Sequence, residues 1–213
     1  MIAMQRRSAL AHRSPLKADG ASIVEKPFDG KLILRGDLAR SGAGVAQVLG
    51  ADFPGKVYET STGPRAVAQW LSPDEWLLVT APGAEGALAK DLASALASQH
   101  HQVADVTDYY TTIELSGAHA RDMLMKIATV DFHPRAFKTG MGVTTNLGRA
   151  TPFLRQTGDD VPSGPAFDIV IRISMADYLW CLLAEAGHEF GLPEQSPKGQ
   201  VKLHLPHFDA SRA

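Results

Sequence analysis

The strongest constraint on the fold is an internal repetition. Residues 111–124, TTIELSGAHARDML, align with residues 31–45, KLILRGDLARSGAGV, and residues 168–187, DIVIRISMADYLWCLLAEAG, align with residues 74–96, DEWLLVTAPGAEGALAKDLASAL. Each pair begins with a β-rich run and continues into a helical stripe, so the chain reads as strand, helix, hairpin, helix, stated twice. This predicts an α+β protein made of two duplicated halves. Each half is a ferredoxin-like (split β-α-β) unit with an antiparallel sheet and its helices on one face, and the two sheets can pack together. The expected divisions are an extended N-terminal leader over 1–29, a first half over 30–103, a second over 104–190 and a punctuated tail over 191–213. That tail carries Pro193, Pro197, Gly199 and Pro206, too many breaks for a regular element.

The segment Asp105–Phe137 shows the logic at residue level. Thr111–Leu115 is β-prone, and Ser116-Gly117 offers a capping hydroxyl and a permissive backbone, from which a helix is expected. Ala120, Leu124, Ile127 and Ala128 share one face with Met123 at its edge, leaving Arg121, Asp122 and Lys126 toward water. Pro134 holds His133 away from helical dihedrals and marks the end. Elsewhere, strands are expected at Lys31–Leu34, Lys56–Thr60, Arg65–Leu71, Glu75–Thr80, Gly148–Arg155 and Phe167–Ile173. Helical stripes run through Leu38, Val45, Val48 and Leu49, through Leu88, Leu92, Ala95 and Leu96, and over Ala176–Ala186.

Composition narrows the class. At 213 residues about 70% of the unfolded surface can be buried, enough for a core without metal or disulfide staples. The net charge of -2, with no long basic run, gives no footprint for nucleic acid or an anionic membrane. Apolar runs are too short to span a bilayer and no secretory h-region follows the arginines at positions 6, 7 and 13. The single cysteine, Cys181, precludes an internal disulfide and suits a reducing compartment, so a cytoplasmic location is expected.

Catalytic signatures are sparse. There is no Gly-x-Ser-x-Gly elbow, and Gly42-Ala43-Gly44 and Gly140-Met141-Gly142 lack the rest of a phosphate loop and read as turn punctuation. His100-His101, and His204 with His207, do not have structural-zinc spacing. Asp105, Asp108 and Tyr109 stand together at a strand entrance, where carboxylates and an aromatic wall could meet a ring-shaped ligand, although aspartates equally stabilise turns. His133 is a candidate general base, set against an ordinary structural role at a helix end. Cys181 has no cationic neighbour in sequence and reads as an inert buried thiol. Trp70, Trp76 and Trp180 are anchors of a core or of an interface.

Three separated blocks carry a family resemblance: QWLSPDEWLL at Gln69–Leu78, the Asp131, His133, Pro134, Phe137 link within Asp105–Phe137, and IRISMADYLWCLL at Ile171–Leu183. Together they resemble the gamma subunit of heterotetrameric sarcosine oxidase, over most of the chain from Lys31 to Gly191. The resemblance implies a complex with alpha, beta and delta subunits that oxidises N-methylglycine to glycine, passing the one-carbon unit to tetrahydrofolate and electrons through FAD and FMN to oxygen. It places the flavin and NAD sites in the two larger subunits and likens the gamma chain to the folate-binding aminomethyltransferase fold. No catalytic residue transfers. The implied role is a non-catalytic subunit packed mainly on the large alpha subunit, with Trp70, Trp76, Tyr178 and Trp180 as candidate docking residues. The rival readings are a folate-binding or aminomethyltransferase-like module using Asp105 or Asp108, the gamma chain of a related N-methyl amino-acid oxidase or dehydrogenase, and an unrelated α+β protein.

Overall fold

The computed structural model describes residues 6–160 and 164–198, so His204 and His207 lie outside the described residues. The chain opens with a hairpin of β1 (Leu16–Ala18) and β2 (Ala21–Lys26). The first half follows as β3 (Gly30–Gly36), α1 (Leu38–Leu49), β4 (Thr60–Thr62), β5 (Val67–Ser72), β6 (Glu75–Thr80), α2 (Glu85–Ala95) and β7 (His101–Asp105). The second half comprises β8 (Tyr110–Ser116), α3 (Ala120–Ile127), β9 (Gly142–Thr144), β10 (Phe153–Asp160), β11 (Gly164–Arg172) and α4 (Ile173–Ala186). Two antiparallel sheets result, ordered β4-β5-β6-β3-β7 and β1-β2-β8-β11-β10-β9. The first contains the full split β-α-β order, with β7, which is not among the expected strands, closing it beside β3.

In the second half no strand among the described residues follows α4 to take the equivalent place. Instead β2 pairs along β8 from Ser22↔Ser116 to Lys26↔Thr112 and fills that position. The leader expected to be extended over 1–29 therefore supplies β1 and β2 to the second sheet. Ala21 and Ile23 are buried from alternate positions of β2, as period-two side-chain geometry requires. Leu10, only 1% exposed, extends the same core. Gly117 makes the join possible: its φ is +118°, and a Cβ there would collide with the carbonyl of Gly20. That constraint also delays α3, which begins at Ala120 and not at the Ser116-Gly117 break.

Each sheet buries one face under its helices. Leu32, Leu34, Trp76 and Leu78 meet Val45, Leu49, Leu88 and Leu92, whereas Ile113, Leu115, Phe167 and Ile169 meet Met123, Leu124, Leu179 and Leu183. The opposite faces approach each other. Val67, Gln69, Leu77 and Val79 of the first sheet and Thr112, Arg155, Asp168 and Val170 of the second enclose a residual cavity of about 20 Å³. Asp168 pairs two cations in this layer, with Lys26 Nζ and Arg155 Nη2 at 2.8 and 3.1 Å from its carboxylate. Lys31 is fully buried and its Nζ donates to the Asp29 carbonyl at 2.9 Å. Burial pushes the Lys31 ammonium below its ordinary pKa, against the opposing pull of Asp29 and Asp168.

Other boundaries moved for identifiable reasons. The strand expected over Gly148–Arg155 starts only at Phe153 and runs on to Asp160, because β10 pairs with β11 along that length with a bulge near Gln156. Gly140-Met141-Gly142 leads directly into the short strand β9. The start of the tail also packs: Leu192 is 2% exposed, and Arg13 holds the Gln195 side chain and the Ser196 carbonyl at 3.0 and 2.8 Å.

Candidate functional site

The aromatic docking candidates separate by burial. Trp76 is 1% exposed, lies tilted against Phe53 with centroids 4.7 Å apart and donates its indole N–H to the Pro54 carbonyl at 2.8 Å. Trp180 is equally buried among α4, α3 and the second sheet. Both are internal anchors, which corrects their assignment to a docking surface: periodicity shows that a large side chain leaves one face of an element, not whether that face meets this chain or another. Trp70 and Tyr178 are half-buried. The Tyr178 hydroxyl accepts from the Arg149 N–H at 3.0 Å, which fixes the loop before β10.

Asp105, Asp108 and Tyr109 do come together, at the exposed end of β7 beside an open depression of about 530 Å³. Their local chemistry is that of a turn. Asp105 Oδ1 accepts the Thr107 N–H at 2.9 Å, and Asp108 pairs with Arg6. Tyr109 is 50% exposed, with the Arg172 guanidinium 5.7 Å from its ring centroid. The group lies on the outer surface, away from the layer between the two sheets. His133 is also in turn geometry, with its Nδ1 accepting from the Arg135 N–H at 3.2 Å and its own N–H bonded to Asp131 at 2.8 Å.

His100 and His101 line an open depression of about 1060 Å³, together with Arg35, Asp37, Pro73 and Asp74. Arg35 and Asp74 are already paired at 2.6 Å, and Asp37 caps α1 by accepting from Ala39 N–H at 2.9 Å. Among the described residues no three His, Cys, Asp or Glu side chains group to hold a metal ion. Cys181 does have a cationic neighbour in space, Arg13 Nη2 at 3.3 Å, which linear sequence had hidden. Burial nevertheless raises the thiol pKa and Arg13 only opposes that rise, so the thiolate nucleophile is disfavoured.

The polar centre missed by the sequence reading is Arg121, expected in water and found 6% exposed. Its Nη1 donates to the carbonyls of Phe132 and Phe137 at 2.6 and 3.0 Å, and its Nη2 reaches Asp159 at 3.0 Å. The guanidinium also lies 5.6 Å from the Phe167 ring centroid. It pins the loop after α3 back over the core, with Phe132 and Phe137 fully buried. The available signal was the loop's own pair of phenylalanines, too apolar for a segment left in solvent.

Known proteins place this arrangement. The family model described as "Sarcosine oxidase, gamma subunit family" matches residues 35–189. The sarcosine oxidase subunit gamma of Corynebacterium sp. (strain P-1) is 31% identical over 192 residues, covering 87% of this chain and 91% of that protein. The subunit gamma of an Arthrobacter species is 30% identical over 195 residues, covering 88% and 93%. In structure, a chain of the heterotetrameric sarcosine oxidase from Corynebacterium sp. U-96, in complex with pyrrole 2-carboxylate, superposes with a TM-score of 0.79 at 28% identity, covering 90% of this chain and 99% of that one. Aminomethyltransferase T of the glycine cleavage system from Bartonella henselae is similar in fold alone, with a TM-score of 0.60 at 16% identity, 78% of this chain and 46% of that one being covered.

Proposed function

Because the chain belongs to the sarcosine oxidase gamma subunit family, we propose that it serves as a non-catalytic subunit of a heterotetrameric oxidoreductase acting on N-methylglycine. The observation that carries this reading is the near end-to-end likeness to a chain of the Corynebacterium heterotetramer. In the proposed complex the chain packs mainly on the large alpha subunit, alongside beta and delta subunits. FAD, FMN, NAD and tetrahydrofolate belong to those partners. The complex demethylates sarcosine to glycine, delivers the one-carbon unit to tetrahydrofolate and works in the cytoplasm. Among the described residues no helix is long and apolar enough to cross a membrane.

The internal geometry supports a structural task. A cavity of about 20 Å³ has room for no more than a water molecule, so the layer between the sheets is too small for a pterin. The folate-module reading would instead have to use Asp105 on an open surface, where its carboxylate is engaged by its own turn. Titration of the isolated chain with tetrahydrofolate separates the two: the subunit reading expects no saturable binding, and a stoichiometric site would establish the module. The choice between sarcosine and another N-methyl amino acid rests with the other subunits, and is tested by turnover of each amine by the purified complex.

A further inference from the structure

Among the described residues four strands lie at the sheet edges, and three of them are blunted. β1 has three residues and follows Pro15; β4 has three and is followed by Gly63-Pro64; β9 has three and is bridged to Tyr58. Short edges, prolines and covering contacts are how proteins prevent unwanted strand addition. β7 differs. Its five residues, HQVAD, pair with β3 in unbroken register from Leu32↔Asp105 to Gly36↔His101, with no proline, lysine or bulge.

The hydrogen-bond phase of that edge follows from two observed contacts. Val106 N–H donates to the Lys31 carbonyl at 2.9 Å, and Gly36 N–H donates to the Asp74 carbonyl on the other side of β3 at 3.1 Å. Antiparallel ladders alternate, so Ile33–Ala104 and Arg35–Gln102 are the bonded pairs between β3 and β7. The peptide groups of His101, Val103 and Asp105 therefore point away from the sheet. Open depressions of about 1060 and 530 Å³ flank this edge, one reaching His101 and Gln102 and the other beginning at Asp105. Asp105 has no cationic side chain within ion-pair distance among the described residues.

We infer that the edge of β7, unpaired among the described residues, is a docking surface, on which an extended segment of the large alpha subunit adds a sixth strand to the first sheet. Main-chain bonds to His101, Val103 and Asp105 provide the affinity, and a Lys or Arg of the guest opposite Asp105 sets the register. The inference rests on the subunit reading and names the surface it uses.

Hydrogen exchange with mass spectrometry, on the isolated full chain and on the purified complex, tests it. Native mass measurement first establishes that the chain is in a heterotetramer; failure there removes the subunit reading itself. With the heterotetramer in hand, amides of the 101–105 segment should exchange substantially more slowly in the complex than in the isolated chain. Equal exchange overturns the inference and leaves the subunit reading standing. Protection already present in an isolated chain of doubled mass overturns it as well, since the edge would then pair with a second copy. Val103→Pro removes an outward N–H without touching the β3 ladder, and should weaken incorporation roughly tenfold while circular dichroism stays unchanged. A folded variant that assembles with unchanged affinity counts against the proposal, and the exchange experiment decides if the variant does not fold.

Discussion

Gly142 donates its backbone N–H to the carbonyl of Tyr58 at 3.1 Å, and this bond is one of those by which the two halves of the molecule are sewn together at their edges. Thr60 adds a hydroxyl bond to the Gly140 carbonyl, and Gln69 Nε2 reaches the Leu154 carbonyl at 3.4 Å. A Cβ at position 142 would stand 2.7 Å from Thr60 Cγ2 and 2.8 Å from Gln69 Cδ. Gly142→Ala should therefore cost about 1–3 kcal/mol through overpacking at the seam. Thermal unfolding measures it, and an unchanged midpoint would mean that the seam opens freely.

Arg121 makes a second prediction. Replacing it with Met keeps much of the stem but leaves the Phe132 and Phe137 carbonyls without their donor. Each lost bond to a charged donor is worth about 1.5–3 kcal/mol, so Arg121→Met should lower stability by about 3 kcal/mol. Denaturant unfolding should show it, together with faster proteolysis between residues 131 and 139. Arg121→Lys should rescue only part, because a single ammonium cannot reproduce the fork that serves two carbonyls and Asp159.

Asp177 ties both ends of the described chain to α4. It accepts from His12 at 2.7 Å, from Arg13 at 2.8 Å and from the Lys198 N–H at 2.7 Å. Burial alone would raise its pKa, but these bonds together outweigh burial and hold it below the ordinary carboxylate value of 3.8. A depressed carboxylate contributes stability that is fully present above its unfolded pKa and is lost as pH falls through the folded one. Proteolysis near residues 6–13 and 193–198 should accelerate below about pH 4 in the native chain. In Asp177→Asn it should be fast at neutral pH and show less acid dependence; an unchanged acid response would exclude Asp177 as the tie.

The tryptophans divide by the same reasoning. Trp180→Ala should cost about 3–5 kcal/mol by opening the second core, with any loss of assembly secondary to unfolding. Trp70 is half-buried and packs against the first core, so Trp70→Glu should itself lower the melting temperature; loss of complex formation by variant protein that is still folded would mark the exposed part of Trp70 as contact surface.

The repeat made the architecture legible because each half keeps its own hydrophobic period: Leu32 and Leu34 alternate in one half as Ile113 and Leu115 do in the other. Completion of the sheets was harder to see. β2 fills its place through pairing with β8, some ninety residues away, and nothing local in ASIVEK announces that partner. β7 was hidden because His101 and Gln102 are polar and its inner face is only half-buried. The charged centre at Arg121 followed from a loop folding back, which helical periodicity cannot contain. For the docking candidates, sequence supplied the large aromatics and could not assign their faces, and tertiary packing took Trp76 and Trp180 for the cores.

The most direct test of the subunit role is a native pull-down through this chain, with native mass spectrometry and a visible spectrum of the eluate. The expected result is a yellow eluate of four different chains in equal amounts that oxidises sarcosine, while the chain stripped of its partners is colourless and inactive. A colourless single chain, recovered under conditions that preserve flavoprotein complexes, or sarcosine turnover by the isolated chain, would contradict it.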